Sequence, residues 1–287
     1  MAQWRIVPTS KIASLLLLLL ACSLSTAAAE IEVEVLRDID YLKDTDYADN
    51  KDKLDLYRAA GAASAPVLVY LHGGALQAGD KSQQGHVGRF FAEHGYIVAC
   101  VNYRLSPGVI HPAHTEDAAA SFAWVIRNIE RYGGDPNRVA LAGHSAGAYL
   151  AALLALDGRY LEGQGLAVSS IKAVVPISGF FHLERIAPDR PKTVWGESEA
   201  AWKDASPSQY VSATAPPTLL LYADGDVVER RQESLDLAAE LESSGHRQVE
   251  THQISDRTHS TIAQQLGEDG DPSAKHMLRF LKEILDH

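Results

Sequence analysis

A chain of 287 residues with 46% apolar and 22% charged side chains has room for one large α/β domain with a substantial core. Its formal charge of −11 gives an acidic surface that repels phosphate backbones, which argues against nucleic acid as a partner. Two cysteines are present, and if Cys22 is removed or acylated, Cys100 stands alone and no intramolecular disulfide forms.

In chain order, Arg5 and Lys11 flank the start of an apolar run that begins at Ile12 and reaches Leu20. Ser25-Thr26-Ala27-Ala28-Ala29 then supplies the small residues that a signal peptidase accepts. Residues 1–29 are therefore expected to be a signal peptide cut before Glu30, and the protein to be periplasmic or secreted. The run is too short for a comfortable permanent span. Leu19-Leu20-Ala21-Cys22 also resembles a lipobox, so a lipoprotein anchored through an acylated Cys22 is the alternative. No other membrane attachment is expected.

Residues 30–287 read as a single domain. Residues 31–36 and 53–58 alternate like short antiparallel strands. Val67 to Leu71 is a continuous apolar run, the mark of a strand buried on both faces. Tyr96 to Tyr103 is a further strand, with Cys100 as buried filler. Thr115 is placed to cap a helix with Ala118, Phe122, Val125, Ile126 and Ile129 on one stripe, and Gly133-Gly134 ends it. Val139 to Ala142 is a strand, Ala146 to Leu156 an apolar helix, and Ile171 to Ile177, Thr218 to Tyr222 and Gln248 to Ile254 three more strands. A helix at Leu235 to Leu241 separates the last two. Met277, Phe280, Leu281, Ile284 and Leu285 form the stripe of a closing helix. Strands alternating with helices predict an α/β fold, a mostly parallel sheet with helices on both faces. Residues 179–217 interrupt the rhythm and are expected to form a small lid over the carboxyl edge of the sheet, where ligands bind. Its Phe180, Phe181, Trp195 and Trp202 are candidates for lining a pocket or for packing a core.

Gly143-His144-Ser145-Ala146-Gly147 fits G-x-S-x-G between a strand and a helix, the setting of a nucleophilic serine on a tight turn. His72-Gly73-Gly74 ends the strand upstream, where glycines let backbone N–H groups reach an oxyanion. Gly73, Gly74 and Ala146 are the candidate donors. An acid should follow the strand at 218–222. Asp226 is preferred, with Asp224 as the alternative and a turn-shaping role open to it. The base should follow the last strand, and His259 occupies that place. His111 and His114 flank Pro112 without a third ligand at suitable spacing, so neither metal nor cofactor is expected. His144 is expected to pack beside the serine.

His72 to Lys81, Asn102-Tyr103-Arg104-Leu105, Gly134 to Val139 and Gly143 to Leu150 together resemble carboxylesterases of the α/β-hydrolase fold. The chain is most similar to their bacterial feruloyl-esterase-like (BD-FAE) branch, related to the hormone-sensitive-lipase group. Lys53 to Tyr57 and Ser206-Pro207 extend the resemblance, which covers about residues 40–265. Ala75 stands where the hormone-sensitive-lipase pattern has a third glycine, and the N-terminal segment is too short for that group's helical cap. The resemblance implies a serine carboxylesterase acting on small acyl or aryl esters through an acyl-serine. Two alternatives remain: an aryl-formamidase or peptidase-like amide hydrolase, and a non-catalytic binding module on the same fold. Oligomeric state stays open.

Overall fold

Eight strands line up in one sheet in the order β1-β2-β4-β3-β5-β6-β7-β8. In chain order they are β1 (Val33–Asp40), β2 (Lys53–Ala59), β3 (Ala65–Leu71), β4 (Ile97–Val101), β5 (Gly134–His144), β6 (Ala173–Ile177), β7 (Thr218–Gly225) and β8 (Val249–Thr258). Only β2 runs against the rest, pairing antiparallel with β1 and β4, while every pairing from β4 to β8 is parallel. The computed structural model describes residues 1–4, 31–42, 45, 47, 49–186 and 192–286. The chain divides into Met1–Glu30 and Ile31–His287. Of the first unit only residues 1–4 are described, and they are exposed. The expected signal segment and Cys22 lie outside the described residues. No described helix is long and apolar enough to cross a membrane.

Parallel strands need crossovers, and α1 (Gly85–Glu93), α2 (Ala113–Asn128), α3 (Ala146–Leu156) and α4 (Val228–Ser243) supply four of them, while α5 (Pro272–Leu285) closes the chain after β8. Successive strand residues face opposite sides, so Val67, Val69 and Leu71 of β3 join Val139 and Leu141 of β5 in one core with Phe122 of α2 and Leu150 of α3. Leu68 and Tyr70 join Ala140 and Ala142 in the opposite core, closed by Phe91 of α1 and Met277 and Phe280 of α5. This double burial explains why β3 reads as an unbroken apolar run. Asp271 caps α5 by accepting from the Ala274 N–H.

Two local expectations are corrected. Helix α2 begins at Ala113, directly after Pro112, and Thr115 is buried within its first turn instead of capping it. Helix α1 is an element not expected above, although Val87, Phe91 and Ala92 give it one buried face at helical spacing.

The strand order reverses beside β3. From β3 the chain passes to β4 on one side and returns through α2 to β5 on the other. Leu71 pairs with Gly143, so the chain leaves both strands at the same height. The crevice between diverging loops at such a point is where open α/β sheets take ligands.

Candidate active site

Ser145 follows β5 directly, with φ 54° and ψ −112°. An L-residue holds such a conformation only where its surroundings impose it. Here the Ser145 N–H donates to Ile177 O on β6 at 2.9 Å, and Ser145 O receives the Tyr149 N–H at 3.0 Å. The flanking glycines make the turn possible by close approach. A Cβ on Gly147 would lie 2.1 Å from Leu71 O, and one on Gly143 would lie 2.5 Å from the Gly147 carbonyl carbon. Helix α3 thus starts in contact with the end of β3, and the serine is lifted to the crevice.

His259 is the first residue after β8. Its Nε2 lies 3.0 Å from Ser145 Oγ and its Nδ1 lies 2.7 Å from Asp226 Oδ1. A carboxylate can only accept, so Nδ1 carries the proton and Nε2 is left to accept from the serine hydroxyl. The other Asp226 oxygen receives the Ser178 hydroxyl at 2.5 Å and the Ala223 N–H at 3.1 Å. Burial pushes the Asp226 carboxyl up, but the hydrogen bonds from His259 and Ser178 outweigh it and hold the group below its ordinary value.

Asp224 has other work. Its two oxygens accept the N–H groups of Asp256 and Arg257, each at 3.0 Å, tying the end of β7 to β8. Of the two aspartates, the structure brings Asp226 to the imidazole.

Gly73 lies against the serine, where a Cβ would come 3.4 Å from Ser145 Cβ. Ala146 is the first residue of α3, so its N–H has no acceptor within the helix. A cleft of about 540 Å³ opens beside them, lined by Gly73, Gly74, Gln83, His144, Ser260 and Gln264. A second cleft of about 390 Å³, lined by Arg104, Arg159 and Tyr160, contains none of the site residues.

His144 does more than pack. Its Nε2 lies 2.7 Å from the His259 carbonyl, and burial, then the neighbouring His259, push it down to about 3, so it donates as a neutral ring. Ser178 and this use of His144 carry no local signal in the sequence, because both depend on partners 48 and 115 residues away.

Other candidates resolve into packing. Phe180, Phe181 and Trp195 are buried, Tyr149 stacks on Phe180 at 5.1 Å, and Trp195 meets both edge-on. Trp202 is half-buried against the same core. The start of the 179–217 segment is fastened to α4, where Glu233 accepts the N–H groups of Phe181 and His182. His114 is fully buried with Nε2 3.1 Å from Ser106 Oγ, and His111 sits between the hydroxyls of Tyr149 and Tyr160. Among the described residues, no three His, Cys, Asp or Glu side chains are grouped to hold a metal ion. Cys100 is enclosed, and burial pushes its thiol far up, out of the reactive range.

Residues 54–241 match the family model of BD-FAE. The chain belongs to the BD-FAE family. Among curated relatives, a probable carboxylic ester hydrolase, LipM, of Mycobacterium tuberculosis is 34% identical over 68% of this chain and 50% of its own length. The chain spans about half the length of the curated relatives it matches. Among solved structures, a truncated carbohydrate esterase from gut microbiota superposes with a TM-score of 0.76 at 20% identity, covering 91% of this chain and 99% of that one. An esterase from the archaeon Pyrobaculum calidifontis gives 0.67 at 26% identity over 88% of this chain and 85% of its own. This BD-FAE chain has the α/β-hydrolase fold.

Proposed function

We propose that the protein is a serine carboxylesterase that hydrolyses small acyl or aryl esters through an acyl-serine. The observation that supports this best is the single line of hydrogen bonds from Ser145 Oγ through His259 to Asp226, set in the crevice beside the glycine loop. Ser145 Oγ attacks the ester carbonyl while His259 Nε2 takes its proton. The carbonyl oxygen gains the charge and receives N–H groups of Gly73, Gly74 and Ala146. Collapse breaks the bond to the alcohol, which leaves with the proton from His259. Water, deprotonated by the same nitrogen, then releases the acid and restores the serine. Asp226 holds the ring in the tautomer that both halves require.

The names of the relatives also support ester chemistry, LipM as a probable carboxylic ester hydrolase and LipQ as an esterase. A fluorophosphonate probe is expected to label the wild type and not Ser145→Ala. Equal labelling of both removes Ser145 from the mechanism, and no labelling of the wild type favours a binding module. Hydrolysis of p-nitrophenyl esters from acetate to decanoate reads the acyl preference. Faster turnover of aryl formamides or dipeptides than of p-nitrophenyl acetate would replace the esterase reading with an amidase one.

We also propose export from the cytoplasm, on the basic, apolar and small-residue series at 5–29. Cell fractionation with N-terminal sequencing tests it. A mature chain starting at Glu30 supports soluble export, one starting at an acylated Cys22 supports a lipoprotein, and an uncut chain in the cytoplasm overturns both.

A further inference from the structure

Behind the glycine loop sit two rings whose contacts the proposed chemistry leaves unused. His72 is the first residue after β3 and Tyr103 the second after β4. The rings stack at 4.3 Å and 15°, and both are enclosed, 1% and 0% exposed. The Tyr103 hydroxyl donates to His72 O at 2.6 Å. The His72 ring curls back so that its Nδ1 lies 2.7 Å from Gly73 O, and since a carbonyl only accepts, Nδ1 carries the proton.

These two acceptors belong to consecutive peptide units. In a trans peptide the C=O and N–H point in opposite directions. Fixing His72 O therefore aims the Gly73 N–H, and fixing Gly73 O aims the Gly74 N–H. We propose that Tyr103 and His72 are positioning residues for the oxyanion hole, each holding by its carbonyl one of the two peptide units whose N–H groups meet the developing charge. This rests on the reading that Gly73 and Gly74 are oxyanion donors.

The surroundings keep both anchors in place. Gly79 passes close over the pair, where a Cβ would come 2.4 Å from both Gly73 O and His72 Nδ1. Burial pushes the Tyr103 phenol far up and the His72 imidazole down to about 4, so both rings are uncharged around neutral pH. Dipoles that do not reorganise during the reaction are what an oxyanion hole requires. A hydroxyl lost from Tyr103 leaves the ring stack intact but frees the first peptide unit to rock.

Tyr103→Phe tests this with p-nitrophenyl acetate. Loss of aim should cost less than loss of a whole donor, so kcat is expected to fall about 10- to 100-fold with KM within about twofold. Affinity for a trifluoromethyl ketone, which adds to the serine and creates the oxyanion, should fall in step with kcat/KM. Thr218→Val is the control. It removes a buried hydroxyl that donates to Pro216 O at the amino end of β7, away from the glycine loop, so it should lower the melting temperature without changing kcat. The proposal is overturned if Tyr103→Phe keeps kcat within about twofold, or loses activity with ketone affinity unchanged, since neither reports a misaimed donor. Should Tyr103→Phe not fold, His72→Asn against His72→Leu decides. Asparagine keeps a donor near the place of Nδ1 and should retain about tenfold more kcat than leucine, and equal values sink the idea. Ser145→Ala separates the two levels. If it stays active the esterase reading fails, and if it is dead while Tyr103→Phe is normal only the positioning role fails.

Discussion

The imidazole of His144 donates across 2.7 Å to the main-chain carbonyl of His259, so the residue before the proposed nucleophile holds the backbone of the proposed base. The two rings lie 4.8 Å apart. Removing the side chain in His144→Ala takes the donor from a half-buried carbonyl, at a cost of about 1 kcal/mol, and frees His259 to drift from Ser145. We expect a lower melting temperature and a kcat reduced about tenfold, because small misplacements of a reacting group are costly. His144→Gln, which can still donate, should recover part of both in paired thermal and steady-state assays.

The two aspartates of the β7 loop should separate cleanly. Asp226→Asn takes the acceptor from His259 Nδ1, disfavours the working tautomer, and should lower kcat by about 10³- to 10⁴-fold with little change in KM. Asp224→Asn weakens two backbone contacts to Asp256 and Arg257 and should lower the melting point while kcat stays within about threefold. A reversed pattern would assign the acid to Asp224.

Gly147→Ala should be far worse than an alanine usually is at the start of a helix. Its Cβ would meet Leu71 O at 2.1 Å, a backbone atom at the end of a central strand. Relief requires moving α3 away from β3, and with it Ser145 away from the glycine loop. We expect destabilisation of about 3 kcal/mol or more, read from urea melts, and activity lost beyond the folded fraction.

Acid should unfold this protein steeply. Burial, the largest cause for each, pushes His72, His111 and His114 down to about 4 and His144 to about 3, against an ordinary 6.5. The unfolded chain takes up these protons near pH 6.5 while the fold refuses them until about 4. The stabilisation is therefore complete above pH 6.5 and drains away as pH falls, each histidine adding up to about 1.4 kcal/mol per pH unit. The depressed Asp226 works in the same direction at lower pH. His182 opposes it: burial disfavours its charge, but Glu233 and Glu240 raise it overall, so its contribution persists in acid and is lost as pH rises. Urea midpoints should drop sharply between pH 6 and 4, and a flat profile there would contradict the neutral buried histidines.

Much of this was legible because it is local or ordered. Helix α3 runs from Ala146 to Leu156 as its composition predicts, and its small residues are the ones that let it touch β3. The order serine, acid, histidine singled out His259 among twelve histidines. What stayed hidden depends on distant partners. Gly88 of α1 looks like a helix breaker, and only the Tyr57 ring, 2.4 Å from where its Cβ would lie, explains it, although Val87, Phe91 and Ala92 keep one buried face at helical spacing. Thr115 looks like a cap only until the buried side of α2 is seen. Ser178 is an unremarkable serine until the loop after β7 folds back on it.

The strand order divides the proposed chemistry into two neighbouring pairs. β3 and β5 deliver the glycine loop and the serine, while β7 and β8 deliver the acid and the histidine. Between them β6 contributes Ile177 O, which receives the Ser145 N–H, and Ser178 just after it, and then leads into the 179–217 segment. The segment thus follows a central strand that, like β4, brings no side chain to the proposed reacting atoms. Its stem, where Glu233 grips Phe181 and His182, is the part that must be kept. Beyond that stem Val194, Trp195 and Ala205 pack back into the core, so the room for exchange is confined to the exposed positions between them, such as Glu197 and Glu199.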